Sequence, residues 1–423
     1  MMASSVPLPP QPADRTLGQK PSIWVSIGQK IAKYKPLNLG QGFPDFLPRA
    51  HVLESLRKTA DDECDPAAHQ EARSQGQVAL VEALSKVYTP LTHHSDAVSG
   101  PCPSHLEATT FSSSREINPL TEILISAGAY GCLSTAFFAT VDRGDEVIII
   151  EPSFDCYTPM TLAVGGIPVY TALQPPKTQG QCSSGDWSLD FVDLESKITK
   201  KTKVFVLNTP NNPLGKVFSI DELQKIADLC IRHSLLCISD EVYEWIIFPP
   251  NKHIKIASLP GMWERTLTIG SAGKTFNITG WKTGWTIGPE RLIVAMQSIQ
   301  EYTINSCPTP LQEALASAFE YELPLLGTAE SYFQEITSRV EQKCHVLASA
   351  LSRVGMTPVL PQGGYFLMAN IEAIPLPSEY LVSASGDNLP RDVAFNDWMM
   401  QKKGLSAIPP SVFYSSEHRS IGE

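Results

Sequence analysis

The chain contains no apolar run approaching the roughly 20 residues that a membrane-spanning helix needs, so no membrane partner is expected. It also contains no Cys-x-x-Cys pair, although it has nine cysteines. Their odd number and scattered placement fit reduced thiols in an intracellular protein better than a disulfide framework. Positive charge is scarce: 33 Lys and Arg face 44 Asp and Glu, a formal net charge of −11. That balance argues against nucleic acid as a partner, because a phosphate backbone demands a basic face. A small anionic cofactor in a local pocket stays compatible with it. The opening "MMASSVPLPPQPADRTLGQKP" lacks the apolar core of a secretory signal and reads as a Pro-rich disordered arm. A cytoplasmic protein is expected, with a mitochondrial one as the alternative if this arm acts as a transit segment.

What is present suits a large α/β enzyme. Apolar residues make up 43% and charged residues 18% of 423, enough for two domains or one large domain with an appendage. "SIWVSIGQKIAKY" has apolar residues at helical spacing, "NLGQGFPDF" is a Gly/Pro loop, and helical patterns follow at His51–Ala60 and Gln77–Tyr88. Residues 91–114, "LTHHSDAVSGPCPSHLEATTFSSS", have no apolar period and read as an irregular insertion. Its His93, His94 and His105 lack a fixed ligand frame, so no metal site is expected.

From Glu122 short apolar runs alternate with helical stretches. "EILIS", "EVIIIE", "IPVYTAL", "TKVFVLN", "LLCISD" and "TLTIGS" read as strands, with "LSTAFFATV" and "DELQKIADLCIRHS" among the helices between them. This is the rhythm of a mostly parallel, doubly wound sheet. "TGWTIG" reads as one further, antiparallel strand. Long helices follow Pro289, and "TPVLPQGGYFLMANI" and "GLSAIPPSVFYSS" read as strands of a smaller domain.

Gly273-Lys274-Thr275 has the ending of a phosphate-binding P-loop, with an acidic strand end, Asp240-Glu241, upstream. The first glycine of G-x-x-x-x-G-K-[ST] is missing, however, since Thr268 stands there. The following "FNITGWKTGW" also disfavours the helix that a P-loop lysine opens. A nucleotide site is therefore the remote alternative.

The same residues fit a covalent cofactor better. Parallel sheets carry chemistry at the carboxyl ends of their strands. Asn208 and Asn212 follow one strand, Asp240 and Tyr243 another, Ser271 and Lys274 a third, and Gly128, Ala129 and Tyr130 open a helix after a fourth. A small-residue turn opening a helix suits a phosphate, with Ser271 and Lys282 to complete it. Asp240 could face a heterocycle nitrogen, Tyr243 and Asn212 a phenolate-like oxygen, and Lys274 could form an imine with an aldehyde. These are the needs of pyridoxal 5′-phosphate. Singly, Asp240 also suits a helix cap, the asparagines suit turns and Tyr243 suits packing.

Here the sequence resembles the fold-type I pyridoxal-phosphate enzymes, and within them the kynurenine aminotransferase and cysteine-S-conjugate β-lyase family. The resemblance runs from about Trp24 to Arg419 outside the insertion, and is strongest in "NLGQGFPDF", "GDEVIIIEPSFDCYTPM", "LNTPNNPLGKVFS", "ISDEVYEW" and "TLTIGSAGKTF" with "TGWKTGW". It implies an aspartate-aminotransferase-like α/β fold, a large domain with a mostly parallel doubly wound sheet plus a smaller α+β domain. It implies amino acid and 2-oxo acid substrates of kynurenine, glutamine or aromatic type, possible β-lyase side activity, and a homodimer. Lys274 would be the Schiff-base lysine and proton shuttle, Asp240 the pyridine-nitrogen partner, and Tyr243 and Asn212 the partners of the ring hydroxyl. Phe154 would stack on the ring; Ala129, Tyr130, Ser271 and Lys282 would hold the phosphate, beside Gly128. Trp24 and Gly42 would line the substrate pocket with Asn212, with Asn208 close by.

The implied organisation is an arm over 1–20, an N-terminal arm and part of the small domain over 21–60, and a large cofactor domain over 61–300. A linker helix and a C-terminally incomplete small domain occupy 301–423. Three departures from the family pattern stand out. Glu71 replaces the tyrosine that a partner subunit contributes, with Arg73 as a compensating charge. Ile304 and Asn305 replace an aromatic and histidine pair. The arginine that clamps the substrate carboxylate has no counterpart, since Arg419 comes too early. A truncated or non-catalytic homologue is therefore the second reading.

Overall fold

The computed structural model describes residues 23–42, 44–61, 65–92, 115–177, 180–383 and 386–422, together with Ala13. Most of the 91–114 segment, including His93, His94 and His105, lies outside them. In chain order the strands are β1 (Leu37–Asn38), β2 (Ile123–Ser126), β3 (Glu146–Glu151), β4 (Ile167–Gln174), β5 (Cys182–Ser183), β6 (Ser188–Leu189) and β7 (Thr202–Asn208). They continue as β8 (Leu236–Asp240), β9 (Thr266–Ser271), β10 (Gly284–Ile287), β11 (Thr357–Leu360), β12 (Met368–Asn370) and β13 (Leu405–Ser406). The helices are α1 (Ile23–Tyr34), α2 (Ala50–Thr59), α3 (Val78–Thr92), α4 (Gly128–Thr140), α5 (Tyr157–Ala163), α6 (Phe191–Ser196) and α7 (Ile220–Arg232). After these come α8 (Ala272–Thr275), α9 (Glu290–Gln300), α10 (Thr309–Glu322), α11 (Tyr332–Arg353), α12 (Arg391–Lys402) and α13 (Arg419–Gly422).

An eight-stranded sheet, ordered β2-β10-β9-β8-β7-β3-β4-β6, forms the centre. Pairs β4/β3, β3/β7, β7/β8 and β8/β9 are parallel, whereas β10 runs antiparallel to both β9 and β2. The inner strands are largely apolar because both faces are covered. Alternate residues serve opposite faces: Val147, Ile149, Val206 and Ile238 pack with α4, α5 and α9, while Ile148, Ile150, Phe205 and Cys237 pack with α7. A further core lies around α2, α3 and α10, where Val52, Leu84, Leu315 and Phe319 meet Ile125 and Trp285. Helix starts follow local chemistry. Ser219 accepts from the Glu222 amide while the Glu222 carboxylate reaches back to the Ser219 amide, a capping box that opens α7.

Two smaller sheets flank this core. β12-β11-β5 joins the C-terminal region to a two-residue strand from the large one, and β1 pairs in parallel with β13. The stretch "GLSAIPPSVFYSS" contributes only Leu405–Ser406 as strand; Pro409 and Pro410 lack amide donors, and the chain continues as a short helical turn over Pro410–Phe413.

Just beyond β8 lies a buried charge network. Glu241 accepts from Ser239, His253 and Lys255, each at 2.8 Å. Lys255 also pairs with Glu244, which accepts from the Tyr88 hydroxyl of α3 at 2.5 Å. Burial alone would push the Glu241 carboxyl up; the adjacent Lys255 and His253 hold it below the usual range. The network ties the segment after β8 to α3. Removing one partner of such a network strands the other charges. Lys255→Met is expected to cost about 3–5 kcal/mol, read as a lower denaturation midpoint; an unchanged midpoint would contradict the network's role.

Candidate active site

The parallel strands bring their carboxyl ends to one edge of the sheet. Asn208 of β7 and Asp240 of β8 are register partners there. The Asn208 side chain donates to the Asp240 carbonyl at 3.0 Å and accepts from the Asn212 amide at 2.7 Å. Its amide group therefore fixes the two neighbouring strand exits. The Asn212 side chain and the Tyr243 hydroxyl make no hydrogen bond to other described residues.

Asp240 is 3% exposed. One carboxylate oxygen, Oδ2, accepts from the Tyr157 hydroxyl at 2.7 Å; the other, Oδ1, accepts only from the Val242 amide at 3.3 Å. Burial pushes the carboxyl up to about 6, against the pull of these two donors; the Glu241 charge adds to the rise and Lys274 opposes it.

Lys274 sits on α8. The surrounding composition disfavours a helix, yet one turn forms: Ser271 is still extended, and the turn ends at Phe276, before Asn277 takes a left-handed φ of 58°. The Lys274 ammonium donates to the Gly42 carbonyl at 2.7 Å. It lies 5.6 Å from the Tyr243 ring centroid and 5.7 Å from that of Tyr365. Burial, then the Lys282 charge, lowers its pKa to about 8, with Asp240 pulling the other way.

Beside these groups α4 begins at Gly128, which has a φ of 70°. Its first-turn amides have no intrahelical acceptor, and Ala127 provides no side-chain cap. β10 approaches this turn closely. A Cβ on Gly284 would lie 2.6 Å from the Gly128 carbonyl carbon and 2.8 Å from the Ala129 nitrogen. Gly284 is in register with Ser271. Lys282, two residues earlier, has a φ of 52° and lies next to Gly128. Gly128, Ala129, Tyr130, Ser271 and Lys282 thus surround one small cradle of amide donors and positive charge, which suits a phosphate.

The rings assemble around the same edge. Phe154 meets Tyr130 edge-on at 5.7 Å and Tyr157 at 6.3 Å. Tyr243 meets Tyr365 at 5.4 Å and Phe366 at 6.2 Å. A Cβ on Gly42 would strike the Phe366 ring, so this glycine allows the 40–42 loop to lie against it. Trp24 of α1 donates from Nε1 to Asp155 Oδ2 at 2.6 Å, which draws α1 to the loop after β3. Asp155, Tyr157, Tyr365 and Phe366 escaped the sequence reading. Tyr157 stands three residues after Phe154 in "PSFDCY", and Gly363-Gly364 before two aromatics was the available signal for the other pair.

Glu71 is exposed on the loop before α3, and Arg73 is engaged with Gln75 and with the Leu120 carbonyl. Asn305 adopts a φ of 63°. Arg419 is exposed on α13. The P-loop reading fails structurally, since Thr268 is a buried residue inside β9 rather than a loop glycine.

A lysine of lowered pKa, a buried carboxylate and an amide-rich turn meet at one edge of a doubly wound sheet, an arrangement that fits a lysine-bound anionic cofactor. The model of the aminotransferase class I and II family matches residues 34–419, and the chain belongs to that family. Kynurenine–oxoglutarate transaminase 3 of Bos taurus is 44% identical over 409 residues, covering 96% of this chain and 84% of that one. Among solved structures, Bna3p from Saccharomyces cerevisiae superposes with a TM-score of 0.86 at 29% identity, covering 98% of this chain and 93% of that one. The methionine aminotransferase YbdL from Escherichia coli gives 0.80 at 28%, covering 96% and 93%. The fold is aspartate-aminotransferase-like, and the protein is a pyridoxal-phosphate-dependent aminotransferase. No observation supports a non-catalytic form or a nucleotide-binding one.

The raised Asp240 value has a consequence for stability. Its folded pKa of about 6 exceeds the reference of 3.8. The group therefore favours the fold below pH 4 and loses that contribution as pH rises through 6. The difference is on the order of 3 kcal/mol. Asp240→Asn apoprotein should melt above the wild type at pH 8, with the gain gone near pH 4; equal melting at pH 8 would contradict the burial argument.

Proposed function

We propose that the protein transfers the amino group of an L-amino acid of kynurenine, glutamine or aromatic type to a 2-oxo acid, at the edge formed by Lys274, Asp240 and the α4 cradle. The observation that carries this reading is the pairing of a half-buried lysine of pKa about 8 with a buried carboxylate at the neighbouring strand end. The cofactor, when bound, supplies an aldehyde for imine formation and a ring that accepts electron density from the substrate α-carbon.

The chain's own groups then divide the work. The α4 amides, Ser271 and Lys282 would hold the phosphate. Asp240 would keep a proton on the ring nitrogen. Tyr243 and Asn212 would donate to the ring oxygen, and Phe154 would cover the ring face. Asn208 positions this set through the Asp240 carbonyl and the Asn212 amide. The Lys274 amine would take the proton from the substrate α-carbon and return it to the cofactor's aldehyde carbon; a value near 8 leaves part of the lysine neutral at physiological pH. Trp24 and Gly42 line the substrate side. Elimination from β-substituted cysteine conjugates follows from the same proton removal and is a proposed side activity.

The kynurenine assignment draws on the names of the relatives; Ile304 and Asn305, which stand where the family resemblance implies an aromatic and histidine pair, leave glutamine and aromatic donors equally in scope. We also propose a homodimer, as in the family. The seven described cysteines are all free, which supports a reducing compartment, cytoplasmic or mitochondrial, and no described helix is long and apolar enough to cross a membrane.

Purified holoprotein given kynurenine, glutamine or phenylalanine with a 2-oxo acid acceptor should form the new amino acid. Lys274→Ala should lower the rate by at least about 10²–10⁴-fold, and Lys274→Arg should not restore it. Full transfer by Lys274→Ala would refute the assignment.

A further inference from the structure

We infer that Tyr157 is a positioning residue for Asp240: its hydroxyl fixes one carboxylate oxygen and keeps the carboxylate charged, leaving the other oxygen to face the cofactor ring. The inference rests on the reading of Asp240 as the ring-nitrogen partner. Tyr157 opens α5, 83 residues from Asp240 in sequence, and is 1% exposed. Its ring is held edge-on by Phe154. Burial and the Asp240 charge suppress the phenol's own ionisation, so the hydroxyl stays a donor.

The carboxylate needs this donor because its remaining support is weak. Among the described residues Oδ1 has only the 3.3 Å contact to the Val242 amide, beyond the usual range for an N–H···O bond. Oδ2 receives the short, charge-assisted bond from Tyr157. Without that bond, a fully buried carboxylate would keep one long backbone contact, and the protonated form would gain ground. The other groups facing Asp240 do not replace it. Tyr130 and Cys132 on α4, Cys156 before α5 and Tyr243 are neutral groups whose own ionisation is suppressed by burial. Glu241 is a like charge, and Lys274 is the one facing cation among the described residues.

The test uses 4′-deoxypyridoxine phosphate, which has no aldehyde and so binds without Lys274 chemistry. Its dissociation constant is measured on apoprotein between pH 5 and 8.5 for wild type, Tyr157→Phe and Asp240→Asn. The ligand phosphate titrates identically in all three, so differences between the profiles report the protein. In wild type, affinity should fall as pH drops through the Asp240 transition. In Tyr157→Phe, that fall should move up by about one pH unit, giving roughly tenfold weaker binding near pH 6.5 and nearly wild-type binding at pH 8.5. Asp240→Asn should bind weakly throughout and lack the step. A Tyr157→Phe profile that superimposes on wild type, or that is weaker by one constant factor at every pH, overturns the positioning role. Wild-type affinity in Asp240→Asn instead overturns the ring-nitrogen reading on which it rests.

Discussion

The Asp240 carboxylate is buried at the end of β8 with too few donors, and most of the site is arranged around that fact. Its neighbours are a phenol, one long amide contact and a lysine of lowered pKa. Such a group resists ionisation by itself. In the proposed arrangement a cationic ring nitrogen would relieve that burden, so the same burial that weakens the apoprotein would strengthen its hold on the cofactor. This is the familiar opposition between stability and function at a preorganised site. The Glu241–Lys255–Glu244 network just beyond makes the arrangement rigid: its charges are satisfied among themselves and through Tyr88, so the backbone leaving β8 is anchored on α3.

The sheet supplies the other half of the geometry. Antiparallel β10 lies beside both β9 and β2, so one tight approach at Gly284 puts Ser271, Lys282 and the opening amides of α4 around a common point. Lys274 is carried there by a single helical turn. Segments distant in sequence close the site from the opposite side. The Gly42 carbonyl accepts from Lys274, the Tyr365 hydroxyl donates to the Lys274 carbonyl at 3.3 Å, and Trp24 reaches Asp155. The Gly42 and Tyr365 contacts couple an N-terminal and a C-terminal segment directly to Lys274.

Much of this was legible in the sequence because the large domain is built from local signals. Fully apolar runs such as "EVIIIE" and "TKVFVLN" alternate with helical periods, and β10 was readable as the antiparallel exception. Lys274, Asp240, Asn208 and Ser271 were visible because each follows an apolar run, where a parallel sheet exposes its chemistry. The rest depended on contacts that no local pattern carries. Tyr157 gives no sign in sequence that its hydroxyl meets a residue 83 positions away. That the Asn208 amide bridges two strand exits is likewise visible only in the fold. The helical turn at Lys274 runs against its composition because the hairpin with β10 decides it. Pro409 and Pro410 cut short a strand that its apolar pattern suggested.

The central claim is that Lys274, and not the neighbouring Lys282, is the imine-forming residue, with Lys282 serving the phosphate. Borohydride reduction of the holoprotein, followed by peptide mapping, tests this most directly. The account predicts a reduced pyridoxyl-phosphate mass on the peptide containing Lys274, with Lys282 unmodified. The adduct on Lys282, or on neither lysine, would contradict it.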